Sequence, residues 1–191
     1  HFNMSVSNIL SKIPKDKLLI LDIDVKEFGL ESTILFQDFE SNIYNGLAEC
    51  KAKIKKYSSL NLVLSSKSFQ YTPNGIINGF TQFCTDNGIN YDIIPDLEED
   101  VDIKENEAYI VFREFDLIKM INWCTKRNWK FGKEIGVISY DDTPLKEIIS
   151  EGISVISNDF ALMGKRAAQM ILEKTKGRFS NEYYFTDRNS L

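Results

Sequence analysis

Histidine is almost missing from this chain: among its 191 residues the only one is His1. A Ser-His-Asp triad and a histidine metal site each need internal imidazoles, so both are close to excluded. The chain also has no G-x-G-x-x-G, no P-loop, no H-E-x-x-H and no G-x-S-x-G, the short motifs of dinucleotide, nucleotide, zinc-protease and serine-hydrolase sites. Positive charge is in deficit. Lys and Arg total 23 against 28 Asp and Glu, a net charge of -5, which makes the chain as it stands a poor DNA binder. No apolar run approaches the roughly 18 to 20 residues of a membrane helix, and His1-Phe2-Asn3 opens neither a basic region nor a signal core. Those absences point to a soluble, cytoplasmic protein, and the lack of an initiator Met to a fragment of a longer one. Cysteine is sparse and odd in number, with Cys50, Cys84 and Cys124 each in an apolar helical pattern and no C-x-x-C. Buried free thiols fit this better than disulfides or zinc.

What is present is an ordinary globular composition, 43% hydrophobic and 27% charged, with strand-length apolar runs alternating with helical periodicity. Strands are expected at Lys17–Ile23, Thr33–Gln37, Asn61–Ser65, Tyr91–Ile94, Ala108–Phe112, Glu134–Ser139 and Ile153–Ile156, with a last short one at Tyr183 and Phe185. Helices are expected over Asp38–Tyr57, where Ile43, Leu47, Cys50, Ile54 and Tyr57 recur at spacings of three and four, then over Pro73–Asn87, Glu114–Trp129, Pro144–Ile149 and Ala161–Thr175, the last closed by Gly177. This alternation is the signature of an α/β fold with parallel sheets, whose ligands sit beyond the carboxyl ends of the strands. The polar residues so placed are Asp22 and Asp24, Ser65 and Ser66, Arg113 and Glu114, Asp141 and Asp142, and Asn158 and Asp159.

Two family resemblances compete for these residues. Asp22-Ile23-Asp24 after an apolar strand, with Ser65, Lys133 and Asp141-Asp142, resembles the haloacid dehalogenase phosphatases. In that case Asp22 and Asp24 would be nucleophile and acid/base, and further carboxylates would hold magnesium. A longer pattern resembles the LacI family of sugar-responsive transcriptional regulators. It comprises Gly136-Val137-Ile138-Ser139-Tyr140-Asp141-Asp142-Thr143-Pro144, then Gly152 to Phe160, then Met163-Gly164 with Ala167-Ala168. It extends back to Pro14–Asp22, Gln37-Asp38 and Gly79-Phe80, and forward to Arg188-Asn189-Ser190-Leu191. The form of Tyr71-x-Pro73 and of Ser139 to Lys146 is similar to Bacteroides-type regulators, in which a GntR-type winged helix precedes the sensor and some members act in fucose utilisation.

The LacI resemblance implies a periplasmic-binding-protein-like fold of type I: two parallel-sheet lobes with the effector in the cleft between them. The first lobe would comprise residues 1–36 and 158–180 and the second residues 37–157 and 181–191, with the first lobe incomplete and the DNA-binding domain absent. It further implies a non-enzymatic homodimer without a cofactor. The effector would be a monosaccharide such as fucose or a sugar phosphate, and operator DNA would be read through the missing N-terminal domain. By the same resemblance Asp22, Arg113, Asp141 and Asn158 bind effector hydroxyls, Phe160 sets a ring against the effector or packs in the core, and Tyr71 and Thr72 compensate for apolar Ile76, where relatives carry an arginine. An arginine at 113 in place of the usual asparagine opens the prospect of an acidic or phosphorylated sugar, or else Arg113 pairs with Glu114 or Asp141. Trp123 and Trp129 read as core or dimer surface, and the lysines from 51 to 56 as a solvated helix face.

Overall fold

A computed structural model describes residues 8–25, 31–64, 72–95, 97 and 103–191. It divides into two compact units, residues 1–38 with 158–183 and residues 39–157 with 184–191.

In the first unit, β1 (Leu19–Asp22), β2 (Thr33–Phe36) and β8 (Gly177–Ser180) form a parallel sheet in the order β1-β2-β8. The central strand β2 is the most apolar, and Ile34 and Leu35 are fully buried. One face gathers Leu18, Ile20, Val25 and Ile34; on the other, Leu35 packs with Met163, Ala167 and Met170 of α6 (Phe160–Glu173). Met163, Ala167 and Met170 lie three to four residues apart, which gives one buried helical stripe. Helix α6 opens on Asp159, whose carboxylate accepts the Leu162 amide at 2.7 Å, and ends at Lys174 in the left-handed conformation, φ 53. The expected stop at Gly177 is therefore corrected: Gly177 (φ 120) begins β8, a strand too short and too polar to stand out in the sequence.

The second unit is built on six strands, β3 (Leu60–Val63), β4 (Tyr91–Ile94), β5 (Ala108–Val111), β6 (Gly136–Tyr140), β7 (Ser154–Asn158) and β9 (Tyr183–Thr186), ordered β4-β3-β5-β6-β7-β9. The ladders from β4 to β7 are parallel. Every residue of β3, β5, β6 and β7 is buried, as a sheet covered on both faces requires. Val63, Tyr109, Val111 and Val137 turn to one face and cluster with Leu117, Met120 and Cys124 of α4 (Glu114–Arg127). The alternate residues face the other way, where Ile156 meets Gly46 of α1 (Phe39–Glu49) so closely that an added Cβ there would come within 2.8 Å of it. Helix α3 (Asn74–Asn87) packs on α1, and at Gly79 a Cβ would stand 2.2 Å from the Glu40 carbonyl oxygen.

The helix expected over residues 38–57 breaks at Cys50, with α1 ending at Glu49 and a short α2 covering Lys51–Ile54. The apolar period continues through the break, which is why periodicity alone did not show it. The remaining helix, α5 (Pro144–Ile148), runs into a 3-10 turn at Ile149–Glu151. All three cysteines are free and buried, and burial pushes their thiols up to about 12, 12 and 11 for Cys50, Cys84 and Cys124.

Candidate functional site

Strands β5 and β6 lie side by side in register, Val111 opposite Ser139, so the residues just beyond them emerge together. These are Phe112-Arg113 after β5 and Asp141 after Tyr140, the last residue of β6. The rings of Phe112 and Tyr140 stack, centroids 4.7 Å apart and planes 22° from parallel, with Tyr140 buried beneath half-buried Phe112 at this end of the sheet. Sequence reading passed over Phe112, because its partner ring stands on the neighbouring strand 28 residues on.

Arg113 caps β5 and opens α4. It grips Asp116 with two nitrogens, Nε at 2.6 Å and Nη2 at 2.7 Å, and Asp116 is 1% exposed. The i, i+3 spacing that brings Asp116 round to Arg113 is one turn of helix. A buried carboxylate both orients the guanidinium and balances its charge.

Asp141 follows β6 in the left-handed region, φ 57, a conformation that aspartate tolerates better than most residues. The turn is held from several sides. The Asp141 amide donates to the Ile156 carbonyl at 2.9 Å, and the Asp142 amide to the Ser157 hydroxyl at 3.0 Å. Lys146, 3% exposed, sends its Nζ to the Tyr140 carbonyl at 3.0 Å and the Asp141 carbonyl at 2.5 Å. Burial lowers the Lys146 pKa, and the nearby Asp141, Glu114 and Asp142 carboxylates counter that. A buried lysine was not foreseen, since Lys146 reads as an ordinary polar residue of a short helix.

The second aspartate of the pair is structural. Asp142 receives Arg188 through two nitrogens, at 2.9 and 2.7 Å, and Arg188 also reaches the Ile153 carbonyl at 3.2 Å. Two residues on, the Ser190 hydroxyl donates to Val137 O at 2.6 Å and accepts the Ser154 amide at 2.7 Å. The closing R-x-S therefore clamps β6 and β7. Thr72, half-buried, precedes α3, and Ile76, 2% exposed, belongs to the core. Tyr71, Ser65 and Ser66 lie outside the described residues.

In the first unit Asp22 ends β1 at φ 79, exposed, and accepts Gln37 Nε2 at 2.5 Å. Asp24 takes both its oxygens to Arg178, whose guanidinium also lies 5.9 Å from the Phe36 ring centroid. Asn158, 1% exposed, accepts Asn181 Nδ2 at 3.2 Å, and Phe160 is 48% exposed rather than packed in the core. Of the carboxylates of the phosphatase pattern, Asp24 is thus committed to one arginine and Asp142 to another. Among the described residues no three His, Cys, Asp or Glu side chains gather as a metal site would need.

A periplasmic binding protein-like domain matches residues 56–182, and the chain belongs to that family. No curated protein matches it. Solved structures of the same fold include the lactose repressor bound to an anti-inducer (18% identity, TM-score 0.73, covering 98% of this chain and 72% of the repressor). A sugar-binding LacI-family regulator from Escherichia coli complexed with phosphate is similar to the same degree (13%, 0.73, 98% and 72%). A LacI-family regulator from Enterococcus faecium with bound ribose follows (15%, 0.68, 90% and 69%). The chain is thus a partial domain by comparison with these proteins. The phosphatase resemblance finds no support in the family match or the fold.

Proposed function

We propose that this chain is the effector-sensing part of a bacterial transcriptional regulator of carbohydrate use, which binds a small neutral monosaccharide and makes or breaks no bond in it. The observation that carries this reading is the group at the ends of β5 and β6. It combines an arginine fork set by a buried carboxylate, an aspartate turned out of its strand, and two stacked rings. Sugars are recognised by such sets, carboxylate and guanidinium for hydroxyl pairs and ring faces for the apolar side. Because Asp116 balances Arg113, a neutral sugar suits the site better than an acidic or phosphorylated one. Asp22, Asn158 and Phe160 at the strand ends of the first unit, with Thr72 and Tyr71 of the second, take effector contacts in the same reading. The Bacteroides-type resemblance puts fucose first among sugars to test and a GntR-type winged helix first among DNA readers.

A regulator works where DNA is, so the reading places the protein in the cytoplasm. DNA binding falls to a separate reader, since this chain carries a net charge of -5. A homodimer is supported by apolar side chains left in solvent on the second unit: Phe115 and Ile118 on α4 and Leu145 and Ile148 on α5, each between 47% and 77% exposed.

The test is a thermal-shift and calorimetric screen against neutral monosaccharides, sugar phosphates and magnesium. A sugar at 100 times its dissociation constant adds about 2.7 kcal/mol of stability. Binding of one neutral sugar, lost in Asp141→Asn, supports the reading; Asn keeps the left-handed turn that Ala would strain. Arg113→Ala alone strands the buried Asp116 carboxylate, so it is paired with Asp116→Asn. Phosphate release in magnesium, or unchanged sugar affinity in both variants, overturns it.

A further inference from the structure

We infer that the second unit carries another binding site, at the opposite end of the same strands from Arg113 and Asp141, built for a small aromatic monoanion such as an aromatic carboxylate. The site is a cavity of about 490 Å³, within the size range of small-molecule pockets. Its floor is aromatic. Trp129 and Phe131 follow α4 and lean on the buried cluster of Cys124, Ile135 and Val137, with Ile121 beside them. Outside the lining residues, Arg127 lies over the rings of both Trp123 and Trp129, at 3.9 and 5.7 Å from their centroids.

The rim is basic. Lys53, Lys56, Lys130 and Lys133 line the cavity against one carboxylate, Glu151. Lys53 is paired with Asp187, which leaves three lysines. Glu134, just behind the loop, accepts the Lys130 amide at 2.8 Å. That amide and its own hold the Glu134 carboxyl below its usual range, and the charges of Lys133 and Lys130 add to the effect. The lining thus keeps three lysines against Glu151, and Glu134 and Arg127 just outside it offset each other, so the rim carries net positive charge. Positive charge over an apolar floor fits a ligand with a ring and an anionic group.

The walls are fixed before any ligand arrives. Gly132 takes φ 76, and a Cβ there would stand 2.0 Å from the Asn189 carbonyl oxygen, so the loop and the closing segment of the chain are in direct contact. Gly132 donates to Ile135 O at 2.8 Å, and Ser190 O accepts the Val137 amide at 2.7 Å. On the facing side Ser150 and Glu151 both hold left-handed angles, φ 49 and 66, which is costly for two successive non-glycine residues. Backbone strain of that kind concentrates where a ligand is held.

The experiment is a titration of 4-fluorobenzoate into the protein, followed by fluorine NMR. Inorganic phosphate serves as the charge without the ring, and benzyl alcohol as the ring without the charge. The expected result is saturable binding that weakens at least about tenfold, or ~1.4 kcal/mol, in Lys130→Ala/Lys133→Ala and again in Lys133→Glu, and that survives in Asp141→Asn. Both lysines are exposed, so these variants fold. Equal binding in the lysine variants, loss of binding in Asp141→Asn, equally tight binding of either control, or no binding of the probe overturns the proposal. The outcome is independent of whether a sugar binds beyond β5 and β6.

Discussion

In the second unit β5 and β6 are flanked by strands on both sides, and all four residues of β5 and all five of β6 are buried. In the first unit β1 has β2 on one side only among the described residues, and its burial runs from half-buried Leu19 through buried Ile20 to Leu21, 41% exposed. Helix α6 shows the same contrast in its own turns: Met163, Ala167 and Met170 are covered while Ile171 and Leu172 stand 63% and 83% exposed. Both units are spelled in the same apolar alphabet. What differs is how many neighbours each apolar face finds, and burial rather than composition sets the stabilisation gained, about 25 cal/mol per Å² of apolar surface removed from water.

The sharpest way to break this comparison is core truncation. Phe80→Ala, at a fully buried ring of α3 set edge-on to Tyr91, should cost about 3–5 kcal/mol in a urea titration, against about 2 kcal/mol for Met163→Ala in the first unit. Equal costs would mean the smaller sheet is as well packed as the larger. Next comes the clamp of the second unit: Arg188→Ala removes a paired cation from a site only 16% exposed, and a loss of about 1.5–3 kcal/mol is expected.

Amide hydrogen exchange asks the same question without mutation. The amides of β1 should open at least about tenfold more readily than those of β5 and β6, and equal protection would count against the contrast.

The thiols sharpen it through pH, since all three lie in the second unit. Their folded pKa values are raised above the ordinary 9.0, so the unfolded chain loses protons first and stability falls as pH rises past 9. Cys84→Ala should remove about 1 kcal/mol of that loss at pH 10, seen as a shallower decline in melting temperature between pH 9 and 10. The smallest effect belongs to the first unit: Asp24→Asn gives up an ion pair with Arg178 whose side chains are 25–27% exposed, should cost no more than about 1 kcal/mol, and should leave the proposed sugar binding untouched.

Much of the fold was legible because buried parallel strands are short unbroken apolar runs, and β3, β5 and β6 are of this kind. Strand β8 was missed because Gly177-Arg178-Phe179-Ser180 is held by its register with β2, not by its own pattern. At the candidate site, Asp141 and Arg113 were legible as polar residues ending such runs. Their surroundings were not. The stacked Phe112 and Tyr140 rings, Asp116 beneath Arg113, and Lys146 beneath the Asp141 turn depend on which strand and helix lie alongside.

By itself, then, the order of residues determined the alternation of strand and helix, the parallel sheets that follow, the inert buried cysteines and the exclusion of histidine chemistry. These are local, being set by periodicity and residue type over a few turns or a single strand. Only tertiary structure decided which acidic residue does what. Asp142 meets Arg188 across 46 residues and Asp24 meets Arg178 across 154, while Asp141, next to Asp142, takes a left-handed turn at the end of β6. An ion pair forms where folding brings two charges within a few ångströms, and sequence separation carries no record of that distance.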